Sequence, residues 1–98
     1  MKLVVLGGGE SGVGAALLGP HLGYEVFLSD KGKLAESYRD ELITHRIAFE
    51  EGQHSMDRIF AAELVVKSPG IPDTVPMVVA LRERGIEVIS EIEFAGRH

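Results

Sequence analysis

Apolar residues in this chain gather in short runs, and between the runs lie longer stretches whose apolar side chains recur every three or four positions. Lys2–Leu6 (KLVVL) is the first run. It is short, rich in valine and halted by glycine, so it predicts a buried strand. Ser11–Leu18 predicts a helix with Val13, Ala16 and Leu17 on one face. Gly19-Pro20 weakens or kinks its end, because proline lacks an N–H and crowds the preceding turn. Tyr24–Ser29 (YEVFLS) predicts a second strand, with Asp30 directly after it. Leu34–His45 predicts a second helix, with Leu34, Tyr38 and Leu42 at four-residue spacing.

The alternation continues to the end. Ile47–Glu50 predicts a short third strand, and Ser55 is placed to cap a short helix carrying Met56, Ile59 and Phe60. Leu64–Lys67 (LVVK) predicts a fourth strand, stopped by SPGIP. Asp73 or Thr74 is placed to cap a helix running to Arg84, with Pro76 tolerated in its first turn and Gly85 as the stop. Ile86–Ile89 predicts a fifth strand, and SEIEFAGRH a short turn or helix start. Strand and helix alternating at this spacing predict an α/β domain built on a parallel sheet with helices on both faces. Right-handed crossovers leave few topologies, of which a Rossmann-like five-stranded sheet in order 3-2-1-4-5 fits the segments. Its strand order reverses between the first and fourth strands. Ligands on such sheets sit at that crevice, beyond the carboxyl ends of the strands. The loops that matter are then Gly7–Gly12, Asp30–Gly32, Ser68–Ile71 and Ser90–Glu91.

Composition narrows the function classes. A chain of 98 residues makes one domain the expectation, with room for one modest core. No apolar run approaches the roughly 20 residues that span a bilayer, so no membrane partner is expected. No basic, apolar and cleavage-site sequence opens the chain, so no secretory signal is expected. The absence of cysteine excludes disulfides, thiolate metal sites and cysteine nucleophiles, and fits a reducing compartment. A net charge of −5 argues against nucleic acid as a partner. It does not argue against a small anion, which main-chain N–H groups at a helix start bind whatever the total charge.

The loop between the first strand and first helix carries that chemistry. Gly7, Gly9 and Gly12 stand in the register G-x-G-x-x-G. The first glycine permits a tight turn out of the strand, the second removes a side chain so that backbone can approach a diphosphate, and the third permits close helix packing. The N–H groups of Glu10, Ser11 and Gly12 then face the anion, aided by the helix dipole, and the Ser11 hydroxyl is a further candidate donor. The Glu10 carboxylate does not suit a diphosphate, but its main-chain N–H can donate while the side chain faces solvent. Asp30, about 20 residues on, is placed to accept from ribose hydroxyls. The spacing does not separate NAD from another ribose-bearing ligand. In KSPGIPD, Gly70 can adopt positive φ or let a flat ring stack on its peptide.

Other polar residues do not assemble into chemistry. His21, His45, His54 and His98 show no metal-ligand spacing and read as solvated. Glu91 and Glu93 read as a solvated edge. Ser11 and Ser68 have no histidine at recognisable spacing, and no G-x-x-x-x-G-K-[ST] loop is present. No catalytic residue and no metal ligand is expected in this domain.

Four segments together, VVLGGGESGVGAALL, VFLSDKG, VVKSPGIPDTVP and GIEVISEIEFAGR, resemble the N-terminal domain of the Mur ligases. The likeness is greatest to those of the UDP-N-acetylmuramoyl-L-alanine:D-glutamate ligase type, and SPGI and SEIEF are its most specific pieces. The resemblance implies a cytoplasmic, ATP-dependent ligase of peptidoglycan synthesis whose first domain binds UDP rather than NAD. It implies that the N–H groups of Glu10 and Ser11 hold the diphosphate, that Asp30 and Lys31 meet the uracil end, and that Ser68, Pro69 and Gly70 flank the base. No cofactor is then expected in this domain. ATP and Mg²⁺ would belong to a central domain, and a C-terminal domain would help to bind D-glutamate; neither domain is expected within these residues. Gly32 departs from relatives that carry an arginine near the uracil, and Lys31 is the available replacement. The competing expectation is an NAD-binding regulatory domain or a dehydrogenase fragment. Against it, no second mononucleotide half is evident. A phospho-receiver domain needs clustered acids where Gly7-Gly8-Gly9 stand.

Overall fold

A computed structural model describes residues 1–98. Five strands form one parallel sheet in the order β3-β2-β1-β4-β5. They are β1 (Lys2–Leu6), β2 (Glu25–Asp30), β3 (Ala48–Glu51), β4 (Leu64–Lys67) and β5 (Glu87–Ser90). The helices are α1 (Glu10–Leu18), α2 (Glu36–Thr44), α3 (Met56–Ile59), α4 (Pro76–Glu83) and α5 (Glu91–Arg97). Fold class and strand order are those expected from the sequence. No helix is long and apolar enough to cross a membrane.

The runs are nearly continuous in apolar residues because both faces of a parallel sheet are covered. Strand residues alternate between two cores. Leu3, Val5, Val26, Leu28, Leu64 and Val66 point to one face, under α1, α2 and α5. Val4, Leu6, Phe27, Val65 and Val88 point to the other, where Ile59 of α3 and Val78 and Leu81 of α4 close over them. Arg58 and Arg84 lay their guanidinium groups over the rings of Phe27 and Phe60, at 3.7 and 4.0 Å from the ring centroids.

The ends of elements depart from expectation for local reasons. α1 stops at Leu18, and Gly19–Leu22 tighten into a 3₁₀ turn closed by Gly23 at φ 87°. α2 begins at Glu36 rather than Leu34. Leu34 precedes the helix, fully packed, with its N–H donating to Glu51 Oε2 at 2.8 Å. Neither Asp73 nor Thr74 caps α4. Val75 holds the cap position, and Asp73 pairs instead with Arg82 at 3.2 Å and Lys67 at 3.6 Å. Pro76 does open that helix, and Gly85 follows it at φ 78°. Ser55 precedes α3, but its hydroxyl donates to Glu50 rather than accepting from the helix. The tail is a full helix: Ser90 Oγ accepts from the Glu93 N–H at 3.0 Å, and Phe94 is buried against Tyr24.

Candidate functional site

The carboxyl ends of β1, β2 and β4 open onto one cavity of about 510 Å³, at the point where strand order reverses. It collects Gly7, Gly9, Asp30, Lys31, Ser68 and Gly70 from the residues expected on sequence. Glu10 and Ser11 stand exposed at the start of α1, Gly12 is buried beneath them, and Pro69 is exposed outside the cavity wall.

Each glycine of the first loop has a separate steric reason. Gly7 leaves β1 at φ 105°, and a Cβ there would lie 2.7 Å from the Ser68 Cβ, so the β1 and β4 loops touch. A Cβ on Gly12 would lie 1.9 Å from the Gly7 carbonyl oxygen; the close approach is to the loop backbone itself. A Cβ on Gly9 would meet nothing within 4 Å. That is open space, and Gly9 itself lines the cavity. The first helical hydrogen bond of α1 runs from the Val13 N–H to the Gly9 carbonyl, at 2.9 Å. The N–H groups of Glu10, Ser11 and Gly12 precede it and have no partner within the protein, so the helix start offers three convergent donors.

Asp30 fixes this loop. Its Oδ2 accepts from the Gly8 N–H at 2.7 Å, and its Oδ1 from the Gly32 N–H at 2.8 Å. The carboxylate thus ties the β1 loop to the β2 loop while lining the cavity. Gly32 is held by this bond and by the Gly52 N–H on its carbonyl; Lys31 beside it lines the cavity. Asp30→Ala should leave the Gly8 N–H unpaired and cost about 2 kcal/mol, the scale of a charge-assisted hydrogen bond. Urea unfolding and faster amide exchange at Gly8 would measure it.

The β4 loop is braced from below. Lys67 Nζ donates to the Ile71 carbonyl at 2.6 Å, and the Ser68 Oγ accepts from the Gly70 N–H at 3.3 Å. Gly70 does not use positive φ; its open peptide remains beside the cavity.

Three contributions were not legible in the sequence. His54 and Met56, from the segment after β3, form part of the cavity wall. His54 is half-buried rather than solvated. Burial pulls its pKa below the ordinary value, reinforced by Lys31 and opposed by Glu50 and Asp30. The start of α4 adds Val75 and Met77 to the apolar side. Glu91 is not a solvated edge like Glu93, which pairs with Arg97 at 2.7 Å. Its carboxyl stands beside Ser11 and Gly12, and burial pushes it up against the opposing pull of the Ser11 hydroxyl and Lys67. The Ser11 hydroxyl therefore faces a carboxylate as well as the loop.

A tight glycine turn, free amides at a helix start and an acid at the end of β2 thus meet at the switch point of a Rossmann-like parallel α/β sheet. Comparison with known proteins makes this specific. The model of the MurD N-terminal domain family matches residues 2–76, and the chain belongs to that family. It is 55% identical over 94 residues to the UDP-N-acetylmuramoylalanine–D-glutamate ligase of Christiangramia forsetii, covering 96% of this chain and 21% of that protein. It is 50% identical over 97 residues to the protein of the same name from Bacteroides fragilis, covering 99% of this chain and 22% of that one. The chain thus spans about a fifth of the length of these curated relatives. Among solved structures, the murein peptide ligase of Psychrobacter arcticus matches all of this chain and 20% of its own, with TM-score 0.86 and 22% identity. The UDP-N-acetylmuramate–alanine ligase of Thermotoga maritima matches 96% of this chain and 21% of its own, with TM-score 0.77 and 24% identity. These two likenesses show the fold.

Proposed function

We propose that the chain binds the uridine diphosphate part of UDP-N-acetylmuramoyl-L-alanine, as the N-terminal domain of an ATP-dependent ligase that adds D-glutamate in peptidoglycan synthesis. One observation carries the reading: the cavity at the strand-order switch is lined by Gly7, Gly8 and Gly9, and the three amides that follow Gly9 at the start of α1 have no partner within the protein. The amides of Glu10 and Ser11 take the diphosphate, with Gly9 leaving room for it. Asp30 and Lys31 meet the nucleoside, and Ser68, Pro69 and Gly70 flank the base, which stacks on the open peptide of the β4 loop. The apolar wall from Ile71, Val75 and Met77 suits one face of a flat ring.

The chemistry belongs to further domains of the parent ligase. There, ATP with Mg²⁺ would supply a phosphoryl group to the substrate carboxylate, releasing ADP. The D-glutamate amine would then attack the acyl phosphate, form the amide and expel phosphate. This domain contributes anchoring: it fixes the nucleotide end so that the distant carboxylate is presented in one place. The cytoplasm, where ATP and nucleotide-linked precursors are present, is the proposed compartment.

Titration with UDP, the complete UDP-sugar-peptide and NADH tests the reading by calorimetry and by amide shifts. Both uridine compounds should move the amides of Gly9 to Gly12 and of Lys31 and Gly70. A response to NADH alone would assign the domain to redox-nucleotide binding instead.

A further inference from the structure

A part-buried hydrogen-bond network at the cavity fixes the protonation of one of its walls. Ser29 and Glu50 are register neighbours on β2 and β3, and Ser29 is fully buried. Its hydroxyl oxygen lies 2.8 Å from Glu50 Oε2, 2.7 Å from His54 Nδ1 and 3.3 Å from the Gln53 carbonyl. Glu50 also accepts from the Ser55 N–H at 2.7 Å and the Ser55 hydroxyl at 2.5 Å. Burial pushes the Glu50 carboxyl up, but the bonds from Ser55 and Ser29 and the charge of Arg58 outweigh it, holding the group ionised.

Donor accounting then leaves one arrangement for a neutral ring. An ionised carboxylate only accepts, so the proton between Ser29 and Glu50 must be the serine's. That hydroxyl has no second proton. The 2.7 Å contact with His54 is therefore a donation from Nδ1–H to Ser29 Oγ. A neutral imidazole with its proton on Nδ1 carries a bare lone pair on Nε2. Nε2 has no protein partner, and no buried side-chain nitrogen or oxygen is left unpaired, so Nε2 is accessible, on a ring that lines the cavity.

We infer that His54 is a specificity-determining residue for the nucleoside: its Nε2 accepts a hydrogen bond from an N–H or O–H donor of the bound uridine. The inference rests on the nucleotide-binding reading above. Ser29 and Glu50 act through His54 as positioning residues, because they hold the ring in the tautomer that free imidazole populates less.

Two-bond proton–nitrogen correlation spectra of the chain, with His54 assigned by His54→Gln, test the tautomer directly. In the free protein above neutral pH, Nδ1 should be the protonated nitrogen, and saturating UDP should shift Nε2. His54→Phe should weaken UDP binding about tenfold, the scale of one hydrogen bond. His54→Gln, which restores an acceptor oxygen, should recover most of it. Comparing UDP with its 3-methyl, 2′-deoxy and 3′-deoxy analogues identifies the donor, since the analogue lacking it should bind wild type and His54→Phe equally. A protonated Nε2 in the free neutral ring overturns the inference. So does UDP that moves the Gly9–Gly12 amides but leaves Nε2 and the His54→Phe affinity unchanged. UDP that moves neither the loop nor His54 overturns the binding reading itself.

Discussion

Gly12→Ala is expected to destabilise the domain by about 3 kcal/mol, the upper end of overpacking costs. The new methyl would sit 1.9 Å from the Gly7 carbonyl oxygen and 3.0 Å from its carbon. These are main-chain atoms of a residue already constrained at φ 105°, so they have nowhere to go. Alanine's better helix propensity offsets at most about 1 kcal/mol, so the clash decides the sign. A domain of this size should lose roughly 12–24 °C in melting temperature. Gly14, two residues on in the same helix, is the internal control. A Cβ there meets nothing within 4 Å, so Gly14→Ala should stabilise by up to about 1 kcal/mol. Calorimetric melts of the two variants should move in opposite directions. Loss of stability in both would mean that α1 responds to bulk anywhere, not to the contact at Gly7.

Gly9→Val is expected to do the reverse: keep the fold and lose the ligand. Gly9 sits at φ −78° and ψ −172°, extended backbone that valine adopts readily, with no protein atom in the way. Its folding cost is limited to a poorer helix cap, about 1 kcal/mol. Its side chain, however, would project into the space the proposed diphosphate needs. Displacing that group from two main-chain donors removes two charge-assisted hydrogen bonds, about 3 kcal/mol together, or roughly a hundredfold in UDP affinity. Calorimetric titration of the variant beside its melting curve separates the two effects. Unchanged affinity would place the diphosphate elsewhere.

The sheet was legible because both signals it needs are local. Short valine-rich runs identify buried strands, and the helical spacing between them demands parallel crossovers. The glycine loop was legible for the same reason, since three residues in fixed register carry its geometry. Side-chain partnerships across strands were not. His54 looked solvated because its partners Ser29 and Glu50 come from different strands and meet only through the β2–β3 register. Lys67 reaches a carbonyl four residues on only because SPGI folds back over it. The last helix, by contrast, carried a readable sign: Ser90-x-x-Glu93 is a capping pattern, and the serine caps as that pattern prescribes. Asp73 offered the same kind of signal and was drawn away by Arg82 and Lys67.

The first loop is stapled to both of its flanking strands. The Gly7 N–H donates to the Ser29 carbonyl, Gly8 to Asp30, and Gly7 abuts Ser68. Such a loop has no hinge of its own, and it loosens only when the sheet does. Change in what the cavity accepts is therefore channelled away from this loop and from Asp30, into rim side chains such as Met56 and Met77 that hold no hydrogen bond to the scaffold.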